Sequence, residues 1–150
     1  MVIGKIVETV SILLASLVFG VFWGPWIALT RSIRSLTPEV FLEVVHRLDK
    51  NLGGLMSVLM PVTILSLVPA LFLTRGIPLL LSIAALVLFV VTLVVTAAVE
   101  VPVVKTVRGW SVTPLPEDWQ TLRDRWGSFH LLRVIPGFLG LAALVIAVAL

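Results

Sequence analysis

The stretch IPLLLSIAALVLFVVTLVVTAAV, Ile77 to Val99, carries no charge in 23 positions, and only Ser82, Thr92 and Thr96 have polar side chains. A helix rises about 1.5 Å per residue, so roughly 20 residues cross a hydrocarbon layer about 30 Å thick. This stretch is long enough. Lipid offers no partner for free backbone N–H and C=O groups, so a segment that crosses it must be helical.

Three more runs of the same kind lie around it, Ile6 to Leu29, Leu52 to Leu73 and Phe129 to Leu150. The chain is therefore expected to be all-α, a polytopic membrane four-helix bundle with spans at about 6–29, 52–73, 77–99 and 129–150. Residues 1–150 are expected to make a single integral membrane domain. Composition agrees: 59% of the 150 residues are hydrophobic and 13% charged, with a mean hydropathy of +1.17. Soluble domains are about 45–50% apolar and about 25% charged, so a water-soluble globule is excluded, and so is a disordered chain. There is no cysteine, which removes disulfides, thiolate metal sites and a cysteine nucleophile. The first run reads as a permanent helix and not a cleaved leader, because it is too long, no small-residue cleavage site follows it, and Trp23, Pro25 and Trp26 near its end read as an interfacial anchor.

The net charge of +3 does not point to nucleic acid, because basic residues in such a chain mark a side of the membrane. Arg31, Arg34, Arg47 and Lys50 follow the first span, and Lys105, Arg108, Arg123, Arg125 and Arg133 follow the third. Together they make nine of the eleven cations, leaving Lys5 and Arg75 on the other side. The positive-inside rule then makes both long connectors cytoplasmic and both termini external, in a plasma (inner) membrane. Thr74-Arg75-Gly76 is expected to form a tight antiparallel turn. Thr37-Pro38-Glu39 opens a helix, with Thr37 capping, Pro38 in the first turn and Glu39 at the positive end. Phe41, Leu42, Val45 and Leu48 then make one apolar stripe, the pattern of a short amphipathic cytoplasmic helix between spans one and two. Pro114 and Pro116 break the second connector, and Glu117-Asp118 opens a helical extension into span four. Ser16, Gly20, Gly24 and Ala28 recur every fourth residue, a strip expected to let another helix approach span one closely.

The residues with chemistry gather after the third span. Trp119, Arg123, Trp126, His130 and Arg133 are spaced 4, 3, 4 and 3, which puts them on one helical face. That face descends into span four. The plainer alternative is an interfacial belt of rings and snorkelling arginines. Glu100 ends the third span before Val101-Pro102. An ionisable group there is expected to point inward and pair with Arg123, Arg133 or His130. On the other connector His46 and Asn51 are further candidates for substrate contact, although Glu43, Arg47 and Lys50 near His46 equally suit a solvated histidine. Two histidines and a glutamate without HxxxH or HxxE spacing leave metal or haem a minor alternative. The chain has no phosphate loop, no GxSxG elbow and no Ser/His/Asp order.

Taken together, these residues suggest a pocket in which indoles stack on a flat hydrophobic ligand and arginines favour an anionic phenolate or enolate. His130 would be a general base oriented by Glu100, since imidazole titrates near neutrality. Glu100-Val101-Pro102 followed by Asp118-Trp119, Arg123, Trp126, His130 and Arg133 resembles the anthrone-oxygenase-like family of small four-helix membrane proteins. The small residues of span one and the segment His46 to Pro61 agree more loosely. The resemblance implies oxygenation of a phenolic anthrone to a quinone with no cofactor. In that chemistry His130 is the catalytic base, Glu100 its partner, and Arg123 or Arg133 holds the anion. Trp119, Trp126, Arg133, His46 and Asn51 would contact the substrate. The expected partners are membrane lipid and a hydrophobic aromatic or quinone-like small molecule, with a homo-oligomer left open. The alternative from another class is a non-catalytic protein that holds a lipid, a quinone or a partner helix in the same groove.

Overall fold

The structure, a computed structural model, describes residues 2–150, and the side chains of residues 4–150. It is an all-α bundle. Helix α1 runs Val2–Ala28, and a 3₁₀ segment, Thr30–Ser35, turns the chain into α2, Pro38–Leu73. Helix α3, Gly76–Val95, passes through one π-helical turn, Thr96–Glu100, into α4, Val101–Arg108. An irregular loop then leads to α5, Trp119–Ala149. No strand occurs among the described residues. Four helical segments are long and apolar enough to cross a membrane.

The apolar surface is turned outward. Leu65, Phe72 and Leu80 are 67%, 77% and 66% exposed, and Leu13, Val58, Val94, Ile135 and Phe138 stand out from the same belt. Side chains of this kind face lipid, where exposure carries no hydrophobic penalty.

Three of the four segments overrun the membrane at one end. The 36 residues of α2 reach about 54 Å at 1.5 Å per residue, well beyond the roughly 30 Å of hydrocarbon. Its first turns hold Glu39, Glu43, Arg47, Asp49 and Lys50, the far end of α4 holds Lys105 and Arg108, and the start of α5 holds Arg123, Asp124 and Arg125. The up-and-down topology brings these three ends together as a cap. The amphipathic segment expected as a separate short helix is instead the first third of α2, continuous with the span. Nothing between Lys50 and Leu52 breaks helical hydrogen bonding, and Gly53 and Gly54 lie inside the helix. The capping reading holds locally: Val40 N–H donates to Thr37 Oγ1 at 3.5 Å, with Pro38 at the first helical position. At the opposite end Gly76 adopts φ +63°, a left-handed conformation that glycine takes without strain, and so the chain reverses directly from α2 into α3.

There are two cores, one above the other. The membrane core joins Ala15, Val18 and Phe22 of α1, Met60 and Leu67 of α2, Ala85 and Phe89 of α3, and Val134 and Leu144 of α5. The cap core joins Ile33, Phe41, Leu42, Val45, Val103, Val107 and Trp126.

The strip Ser16, Gly20, Gly24 and Ala28 is exposed, and a Cβ at Gly20 or Gly24 would meet nothing within 4 Å. The expected close approach of helices occurs on α5 instead. A Cβ at Gly140 would lie 3.1 Å from a ring carbon of Phe89, and one at Gly127 would lie 3.3 Å from Ile33.

Candidate functional site

Between the two cores lies a polar layer made by α1, α5 and the π turn. The π turn comes from Pro102. With no N–H, proline cannot complete the α-helical bond to the carbonyl four residues back, and the Val101 N–H reaches Thr96 O in the wider i→i−5 pattern. The extra residue rotates the chain, so that Glu100 is 97% buried while Val101 and Pro102 face outward. Wide turns of this type recur at functional positions in helices.

On α5, His130 is buried to 1% exposure and makes two contacts. Its Nε2 lies 3.0 Å from the Phe22 carbonyl, and its Nδ1 lies 2.6 Å from Arg133 Nη2. A carbonyl only accepts, so Nε2 carries the hydrogen, and Nδ1 is the bare nitrogen that accepts from the guanidinium. Pro25, three residues beyond Phe22, leaves the adjacent Val21 carbonyl without its helical donor, while α1 itself continues to Ala28. Arg133 also stacks over the Phe22 ring at 4.9 Å, and its Nη2 lies 3.6 Å from Glu100 Oε2. The pair is ionic but too long for a hydrogen bond. Both carboxylate oxygens of Glu100 and the Nε of Arg133 are buried without a hydrogen-bond partner.

These groups line a cavity of about 260 Å³. Its apolar wall is built by Phe22, Met56, Met60, Leu93 and Trp126, and its polar end by Glu100, His130 and Arg133. Its exposed lining residues, Gly53 and Ser57 of α2 with Ala97, Val101 and Lys105 from the π turn and α4, mark its mouth. Above that mouth Arg108 Nη2 and Asp49 Oδ2 form an ion pair at 2.5 Å that ties α4 to α2.

The stripe on α5 is inward-facing, but it divides. Trp126, His130 and Arg133 reach the cavity together with Glu100. Trp119 and Arg123 belong to the cap: Trp119 meets Phe41 at 6.1 Å between ring centroids, and Arg123 lies over Trp119 at 5.1 Å. The Arg123 guanidinium is committed to Asp124, with Nη2 at 2.9 Å, and Asp124 also pairs with Arg34 at 3.4 Å. His46 sits in the cap as well, its Nε2 3.3 Å from the Val107 carbonyl, where it fastens α2 to α4. Asn51 is exposed on an outer face of α2 beside Glu43 and Arg47, which pair with each other. His46 and His130 therefore do not share a cavity, and no group of three potential metal-binding side chains occurs among the described residues.

Sequence reasoning passed over Phe22, Met56, Met60 and the Asp49–Arg108 pair. Pro25 inside an apolar span was the available signal for Phe22. The two methionines carried none, because Met in a span is ordinary filling. No protein-family model matches the chain, and neither a curated protein nor a solved structure does.

Proposed function

We propose that the chain is a multi-pass membrane protein that takes a flat, hydrophobic, hydroxyl-bearing small molecule from the bilayer into this cavity. We further propose that it oxygenates a phenolic, anthrone-like substrate there. The observation that carries the binding reading is the Glu100 carboxylate, 97% buried at the cavity wall with neither oxygen hydrogen-bonded. Leaving a buried polar group unpaired costs about 1–3 kcal/mol, more for a charged one, and a ligand hydroxyl donating to it recovers that loss. The Trp126 ring and the Met56 and Met60 thioethers supply an apolar wall for an aromatic body.

The chemistry follows the resemblance to anthrone oxygenases. A base takes a proton from the methylene between the two rings, leaving an enolate that the Arg133 guanidinium stabilises. The electron pair reduces dioxygen, and a carbon–oxygen bond forms to give a peroxide. Loss of the second methylene proton and cleavage of the O–O bond yield the quinone and one water. One dioxygen is consumed per quinone formed.

The membrane is read as the plasma membrane, with the cap cytoplasmic. What supports this is the placement of exposed Arg31, Arg34, Arg47, Lys50, Lys105, Arg108 and Arg125 at the cap end, against Lys5 and Arg75 at the other. The opening among lipid-facing residues favours a second reading, a non-catalytic site for a quinone or lipid.

The test is oxygen uptake by the purified chain in liposomes supplied with 1,8-dihydroxyanthrone. Uptake above that of empty liposomes, matched one to one by quinone and lost in Ser57→Trp at the mouth, supports the oxygenase. Stoichiometric binding of a hydroxyanthraquinone without uptake leaves the second reading, and neither binding nor uptake discards both.

A further inference from the structure

We propose that Glu100 is the proton-accepting group of this cavity and that His130 is a positioning residue that holds Arg133 in place. This rests on the reading of the cavity as a site for a phenolic ligand, and it reverses the roles expected from residue types alone.

A general base needs a lone pair that its substrate can reach. His130 has none to spare. Its Nε2 hydrogen is given to the Phe22 carbonyl and its Nδ1 lone pair to Arg133, at 3.0 and 2.6 Å. Taking up a proton at Nδ1 would break the shorter bond and set two cationic donors against each other. Glu100 has the opposite character: both of its oxygens are buried at the cavity wall and neither accepts a hydrogen bond.

Arg133 supplies the complement. Its Nη2 is 3.6 Å from the carboxylate, close enough to favour the anion there, while its unpartnered Nε–H is left for an oxygen acceptor. The polar end of the cavity thus offers an acceptor and a donor side by side. That pair matches a ligand that carries both a hydroxyl and a ketone oxygen. In turnover the proton leaves carbon for Glu100, the carboxylate becomes the carboxylic acid, and the electron pair stays on the substrate as an enolate facing Arg133. Dioxygen is the oxidant, as above.

His130 acts on none of the reacting atoms. The imidazole, pinned to the backbone of α1, fixes the guanidinium from one side while the Phe22 ring, 4.9 Å away, supports it from another. A glutamine in its place offers both an N–H for the carbonyl and an oxygen for the guanidinium. A leucine offers neither.

The experiment compares binding of 2-hydroxyanthraquinone with that of 2-methoxyanthraquinone, which lacks the donor, to the full chain in liposomes. Wild type is expected to prefer the hydroxyl form by about ten- to a hundredfold, the span for a hydrogen bond to a charged group. Glu100→Gln should erase most of that preference. His130→Leu should weaken binding of the hydroxyl probe, and His130→Gln should restore most of the loss. A preference that survives Glu100→Gln, or a His130→Gln chain as impaired as His130→Leu, overturns the assignment.

Nitrogen-15 NMR of labelled histidine, with His46→Gln to identify the signals, tests His130 without any ligand. A neutral ring protonated on Nε2 at pH 7 supports the positioning role, and an imidazolium or the Nδ1–H tautomer overturns it. If wild type binds neither probe better than Ser57→Trp, the ligand reading itself fails, and Glu100's role with it. The NMR result still decides what His130 does.

Discussion

Arg133 is held at once by an imidazole, an aromatic ring and a carboxylate, all inside a low-dielectric layer. Removing one member of a buried pair leaves the other charge without compensation, a loss of about 3–5 kcal/mol, whereas replacing both is often close to neutral. Arg133→Met is therefore expected to destabilise the chain by that amount, and Glu100→Gln in the same chain should recover most of it. Denaturant titration in micelles checks both. The chemistry of this layer was only half legible in the sequence. The 4-3-4-3 spacing announces that Trp119, Arg123, Trp126, His130 and Arg133 share a face, but not where along α5 the membrane core gives way to the cap. Arg123 and Arg133 are the same residue type on the same stripe. One is consumed by Asp124 in the cap, and the other lines a cavity. Periodicity cannot distinguish them, because the difference lies in which neighbour is opposite.

At the scale of elements, two devices shape the site, the π turn and the glycines of α5. Pro102→Ala restores an N–H and allows the turn to tighten to the α-helical pattern. That should rotate Glu100 away and lower affinity for the hydroxyl probe several-fold, with helix content by circular dichroism unchanged. Gly140→Leu would drive a side chain into Phe89 and Leu88, and overpacking of this sort costs about 1–3 kcal/mol. Gly24→Leu, on the exposed strip of α1, should change stability by less than about 0.5 kcal/mol, again by denaturant titration. The sequence marked the wrong strip for close packing. Small residues at every fourth position permit an approach, but only the neighbour's placement decides whether one occurs. The helices themselves were readable, since about twenty apolar residues in lipid have one backbone solution. The extension of α5 into the cap was readable too, from Glu117-Asp118 ahead of it, but the unbroken continuation of α2 into the cap was not. Charged turns at a helix end look the same in sequence whether the helix goes on or a new one begins.

For the whole molecule, the uneven distribution of cations gives an expectation that can be checked in cells. The chain lacks cysteine, so single cysteines report cleanly. Ser111→Cys, in the cap loop, should be shielded from a membrane-impermeant maleimide in intact cells, and Thr74→Cys, in the opposite turn, should be labelled. The reverse pattern would invert the orientation. Both α2 and α5 pass unbroken from the cap core into the membrane core, and each carries part of the cavity wall.

The mouth between Gly53, Ser57, Ala97 and Val101 has a consequence for any assay of this protein. On the proposed reading, in which a hydrophobic ligand enters from the lipid, the ligand meets this mouth from the two-dimensional solution formed by the bilayer. Occupancy then follows the ligand's mole fraction among lipids and not its amount per litre of buffer. Adding empty vesicles at constant total ligand should empty the cavity by surface dilution. Affinities measured at different lipid-to-protein ratios should fall on one curve only when expressed per lipid molecule.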